Sequence, residues 1–112
     1  MERIYLGELE ELILLLVAML HENSYGVSVM EELKEQTGRA VNISAVHASL
    51  RRLENKGYIK SHWGSATAQR GGRRKRIFTI TQGGMYALEQ LKEMRVQLWN
   101  QIPTLSVNSS FT

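Results

Sequence analysis

The chain of 112 residues contains no cysteine. Disulfides, thiolate zinc sites and cysteine redox chemistry are excluded together. Aspartate is also absent, and the three histidines (His21, His47 and His62) are far apart in sequence. That is a poor set for a metal site or for acid–base catalysis. No nucleophile–base pair is recognisable, and Gly71-Gly72 lacks the strand–loop–helix context of a nucleotide site. The reading is therefore not an enzyme, with no cofactor and no metal. Long apolar runs are missing too. The longest, Leu12 to Leu20, is nine residues, where a membrane span needs about 20. Glu10 and Glu11 precede it, where a signal peptide would carry positive charge. The expectation is a cytoplasmic chain with no membrane partner. Proline occurs once, at Pro103.

What is present is enough apolar residue, 43%, to pack one domain-sized core. The net charge of +3 conceals an asymmetry. Residues 1–35 hold eight glutamates against Arg3 and Lys34, a balance of −6. Residues 51–76 hold nine basic residues against Glu54, a balance of +8. A field concentrated in one segment suits a polyanionic partner. A solvated basic loop has the same composition.

Periodicity supplies the elements. Leu9 to Leu20 reads as a helix whose first turn is acidic and whose middle is apolar on every side, so burial on more than one face is expected. Asn23-Ser24-Tyr25-Gly26 is a turn signal. A second helix, roughly Val27 to Thr37, carries Val29, Met30 and Leu33 inward, and Gly38 suits its αL cap. A third helix starts near Asn42 or Ser44, both good N-caps. Its stripe is Ile43, Val46, Leu50 and Leu53. Residues 58–63 and 76–81 then read as strands. Between them runs a polar, basic stretch, so the pair is a hairpin with a long tip. Thr81 can cap a last helix, roughly 82–101, that Pro103 stops. The fold class is mostly α with a small β-hairpin: a winged helix-turn-helix over residues 1–81, a C-terminal dimerisation helix over 82–102, and a tail at 103–112.

With its apolar stripe inward, the third helix (43–56) turns Ser44, Ala45, His47, Ala48, Arg51, Arg52 and Asn55 outward. Small residues near its start allow close approach to a groove. Ser44 and the helix N-terminus can meet a phosphate. Arginine is the commonest reader of guanine edges, and Arg51 is favoured over Arg52 for contact. Ordinary solvated arginines would show the same spacing. Arg70-Gly71-Gly72-Arg73-Arg74-Lys75-Arg76 is cationic at five of seven positions. In a wing spanning 64–76, Arg70, Arg73, Arg74 and Arg76 would meet backbone or minor groove. An RNA-binding Arg-Gly-Gly tract is a rival. Trp63 is expected to pack against the helices, with a ring that steadies the wing as the alternative. Ala87, Leu91, Met94 and Leu98 form a coiled-coil-like seam on the last helix, broadened by Leu88, Trp99 and Ile102. With Leu12 and Leu16 of the first helix, Leu91, Met94, Leu98 and Ile102 are the expected dimer interface; packing of the last helix back onto its own chain's core is the alternative. The acidic first helix would then face away from the polyanion.

Several segments together resemble the PadR family of bacterial regulators. They are Leu6-Gly7-Glu8, Tyr25-Gly26-Val27, the run from Leu50 to Ile59, Ser61-His62-Trp63, Gly71 to Lys75, and Thr79-Ile80-Thr81 followed by Gly83 and Gly84. The similarity spans roughly residues 5–92, and the short C-terminal stretch is similar to the subfamily with a single last helix. The resemblance implies a homodimer on double-stranded DNA, usually repression, and for many members release by a small molecule. Multidrug-binding members carry a Trp on the last helix at the dimer interface, which points to Trp99 as an effector-binding residue for an apolar or aromatic compound; a packed dimer core is the other reading, and the favoured one. His47 departs from the family, which usually has Tyr there. The expected function is a transcriptional regulator, usually a repressor, that binds an inverted-repeat operator. The alternative is an RNA-binding or protein-interaction winged helix without operator specificity.

Overall fold

In the computed structural model, residues 3–64 and 74–103 are described. The order is α1 (Glu8–Leu20), a single 3-10 turn (His21–Asn23), α2 (Gly26–Thr37), α3 (Ile43–Asn55), β1 (Ile59–Trp63), β2 (Arg76–Ile80) and α4 (Gln82–Trp99). Each expected element is present, with ends displaced by one or two residues. Asn42, one of the two expected caps, accepts a hydrogen bond from Ala45 N–H at 2.8 Å through Oδ1. Gly38 closes α2 in the left-handed region at φ 73°. Tyr25 N–H donates to Ser28 Oγ at 2.9 Å, and that hydroxyl donates to Asn23 O at 2.7 Å, which fixes the entry to α2.

The core lies where α1, α2 and α3 meet. Ile13, Leu14, Val17, Val29, Leu33, Val46, Leu50 and Leu53 are buried there, with Ile59 and Phe78 contributed by the hairpin. Truncating any of these leucines to alanine removes about 2–5 kcal/mol. The hairpin is antiparallel, with Ile59 opposite Ile80, Ser61 opposite Phe78 and Trp63 opposite Arg76. Phe78 N–H donates to Ser24 O at 2.8 Å. This bond ties the second strand to the turn before α2 and fixes where the hairpin leaves the helices.

The junction into α4 is equally close. Thr81 N–H donates to Tyr58 O at 3.0 Å, and Thr81 Oγ1 caps Gly84 N–H at 3.0 Å. A β-carbon at residue 84 would lie 2.2 Å from Tyr58 O. Only glycine lets the first turn of α4 press on that strand entry. Further along, Arg95 makes a double ion pair with Glu11, whose carboxylate is buried; Arg95 Nη2 lies 2.6 Å from Glu11 Oε1. That hydrogen bond and the opposite charge raise the Arg95 pKa above its ordinary value, against a smaller opposing effect of burial.

Two expectations need correction. Leu16, assigned to a dimer interface, is 4% exposed and belongs to the chain's own core. α1 leans on both other helices, so the apolar surface it leaves outside is at Leu15 and Met19. Trp63 does not pack against the helices: it is 57% exposed near the end of the hairpin. Leu91 is buried and Leu12 half-buried, while Met94, Leu98 and Ile102 are exposed. From Lys92 onward α4 has left the core. The radius of gyration is 17.2 Å, against about 13 Å for a compact domain of about 100 residues.

Candidate nucleic-acid interface

α3 carries two faces because its apolar residues recur at helical spacing. Val46, Ser49, Leu50 and Leu53 are buried. On the opposite face Ser44, His47 and Arg51 are exposed, with Ala45 and Ala48 partly so. Arg52 faces elsewhere. Its Nε lies 3.3 Å from Glu10 Oε2 and its Nη2 3.2 Å from Ser49 Oγ. Lys56 Nζ shares the same carboxylate at 2.7 Å and also donates to Tyr5 O at 3.1 Å. Arg39 pairs with Glu8. The glutamates of α1 thus engage cations on the back of the domain. Arg51 forms no ion pair among the described residues.

The tip end of the paired strands brings more cations to the α3 face. Arg76 Nε donates to Ser61 Oγ at 3.0 Å, and Nη2 lies 3.5 Å from Glu54 Oε1. Ser61 Oγ donates to Glu54 Oε2 at 2.7 Å. Glu54 is the lone acid of the basic segment, and here it anchors β1 and β2 to α3. The Arg76 guanidinium also sits 5.9 Å from the Trp63 ring and 6.0 Å from that of Phe78. Lys75 Nζ lies 3.8 Å from the centre of the Tyr25 ring, a cation–π contact that clasps the hairpin to the start of α2. Arg74 is exposed and donates through Nε to Gly64 O at 3.1 Å. Arg70 and Arg73 lie outside the described residues.

These elements enclose two shallow hollows. One, of about 180 Å³, is lined by His47, Leu50, Arg51, Glu54, Arg76 and Phe78. The other, of about 240 Å³, is lined by Tyr25, Gly26, Val27, His47, Lys75, Arg76 and Phe78. His47 and Arg76 border both. Of the residues named from sequence, Ser44, Ala45, His47, Ala48 and Arg51 share the exposed face of α3, and Arg76 joins them across the hollows. Sequence reasoning missed Tyr25, Glu54 and Lys75 as the parts that seat the hairpin. A single glutamate in a strongly basic run was the available signal for Glu54; the Tyr25–Lys75 contact left none. Among the described residues no group of three or more His, Cys, Asp or Glu could hold a metal ion, and no helix is long and apolar enough to cross a membrane.

A second surface lies between α1 and α4. A groove of about 710 Å³ is lined by Leu15, Ala18, Met19, Met85, Leu88 and Val96, with Glu11, Glu89, Lys92 and Arg95 around it. Trp99 is 69% exposed in the last turn of α4 and is not among the residues that line this groove.

Three helices, then a hairpin hung beside the exposed face of the third, define a winged-helix protein of the type found in transcription regulators. The chain belongs to the PadR-like family of transcriptional regulators, whose sequence profile matches residues 13–90. Solved structures agree. A PadR-like transcription factor from Bacteroides fragilis is 25% identical, with TM-score 0.73 over 86% of this chain and 87% of that one. A PadR family regulator from Clostridium difficile R20291 is 25% identical, with TM-score 0.66 over 86% and 94%. Bacillus subtilis PadR, solved in complex with operator DNA, is 21% identical, with TM-score 0.61 over 75% of this chain and 46% of that one. A comparison with curated protein sequences gave no match.

Proposed function

We propose that this regulator binds an inverted-repeat operator as a homodimer, with α3 in the major groove and the hairpin on the backbone or minor groove, and that it represses. The carrying observation is the convergence of Ser44, His47 and Arg51 with Lys75 and Arg76 on one face, while Glu8 and Glu10 engage cations behind it. Arg51 is placed to read a base edge. Ser44 and the α3 N-terminus suit a phosphate, and Arg70, Arg73, Arg74 and Arg76 supply charge to the hairpin. Bacillus subtilis PadR, which shares the fold, was solved in complex with operator DNA, and this supports DNA as the partner.

Dimerisation rests on apolar surface. Leu15, Met19, Met94, Leu98 and Ile102 are exposed on α1 and around the projecting half of α4, and apolar surface there suits a partner chain. Leu12 and Leu91 flank that surface. A twofold pair would set two recognition helices about 34–36 Å apart. Between the paired α4 helices, Trp99 would border a site for an apolar or aromatic effector whose binding releases DNA. Titration with planar cationic and phenolic compounds should change the emission of Trp99, assigned with Trp99→Phe. An unchanged spectrum across the panel would remove the effector.

Selection from a random duplex library at two salt concentrations tests the main reading. An enriched inverted repeat, bound less tightly at higher salt, supports it. Salt-sensitive binding with no enriched sequence, or equal binding to RNA, would replace it with a module lacking operator specificity.

A further inference from the structure

Gly26 opens α2, and it is not among the glycines with positive φ. Its backbone conformation therefore does not call for glycine, and glycine is a poorer helix former than every residue except proline. What it supplies is room. A β-carbon at residue 26 would lie 2.6 Å from His47 Cε1, 3.0 Å from Nε2 and 3.5 Å from Nδ1. Those atoms form the outer edge of the imidazole, so the ring lies edge-on against the first turn of α2. Gly26 is buried there, while the rest of His47 is exposed. The ring also borders both hollows, beside Arg51 in one and beside Lys75 in the other.

We propose that Gly26 is a positioning residue for sequence readout: the missing side chain at position 26 sets where the His47 imidazole meets DNA. This rests on the reading of α3 as the recognition helix. A methyl group at residue 26 overlaps the ring, and the ring must swing away about its own side-chain bonds. Only the end of an exposed side chain has to yield, so the fold survives while the imidazole is displaced. His47 touches the DNA; Gly26 acts through it.

The test uses Gly26→Ala, His47→Ala and the double variant, each on the duplex that the wild-type chain selects and on its single-base variants. Thermal melts of all the proteins accompany the binding data. The expected result is a Gly26→Ala protein that melts within a few degrees of wild type and binds about tenfold more weakly. Its changed preferences should fall at the base positions that His47→Ala also changes. In the His47→Ala background the second substitution should add less than about twofold, because the two act through one contact. Wild-type affinity for Gly26→Ala overturns the proposal. So do losses that multiply in the double variant, losses spread evenly over all sequences, or a Gly26→Ala chain that no longer folds, since the ring then does not yield. A wild-type chain that selects no duplex removes the underlying reading first, and shows it before any variant is made.

Discussion

Arg51 and Arg52 are neighbours in sequence whose side chains leave α3 in different directions. Arg52 is spent on Glu10 and Ser49 behind α3, while Arg51 stands on the exposed face without an ion pair among the described residues. Arg51→Ala should weaken binding to the selected duplex by about 1–3 kcal/mol and relax preference at one position of each half-site. Arg52→Ala should leave preference unchanged and cost about 0.2–1 kcal/mol of stability, the worth of a mostly solvated pair. Competition binding and chemical denaturation separate the two. Equal loss on every sequence for Arg51→Ala would remove its reading role. The outward direction of Arg51 was legible from the spacing of Val46, Leu50 and Leu53. The retention of Arg52 by Glu10 was not, because the partner lies 42 residues away and spacing carries no information about such contacts.

The elements themselves were legible because helix and strand periods are local. Asn42, Gly38 and Thr81 mark their ends by chemistry that depends on a few neighbouring residues. How the elements lean on each other was harder to read. Leu16 was expected outside and lies inside, since the stretch from Leu12 to Leu20 is apolar all round and does not declare which side meets α2 and α3. Trp63 was expected inside and lies outside: along the face it shares with Ile59 and Ser61, burial falls from Ile59 through Ser61 to Trp63. Arg95 and Glu11 join α1 to α4 beside the apolar contacts of Leu88, and the pairing holds a buried carboxylate. Arg95→Met leaves that carboxylate without its cation and should destabilise the protein by about 1–3 kcal/mol at neutral pH. Urea denaturation measures it. The double variant Arg95→Met with Glu11→Leu should recover much of the loss, because no charge is then left unmatched. At the hairpin, Glu54→Gln weakens the anchor of Arg76, and faster amide exchange at Ile77 and Phe78 is the expected signature.

Over the whole molecule, charge and apolar surface are segregated. Among the described residues cations gather about α3 and the hairpin and acids along α1 and α2, while most of the exposed large apolar residues lie on α1 and along α4, Val27 and Trp63 being exceptions. That distribution underlies the proposal of a dimer that holds DNA on one side and its own partner on the other. Met19→Glu with Leu98→Glu changes only exposed positions, so the monomer fold should persist while sedimentation shifts to single chains and operator affinity falls at least about tenfold. Unchanged sedimentation with unchanged binding would place the partner surface elsewhere. The measurement that bears most directly on the account is sedimentation of the wild-type chain on the selected duplex and on the same duplex with one half-site scrambled. The account predicts two chains on the intact duplex and a loss of about 100-fold or more in affinity when one half is scrambled. One chain per duplex, held as tightly with a half-site scrambled as without, would contradict it.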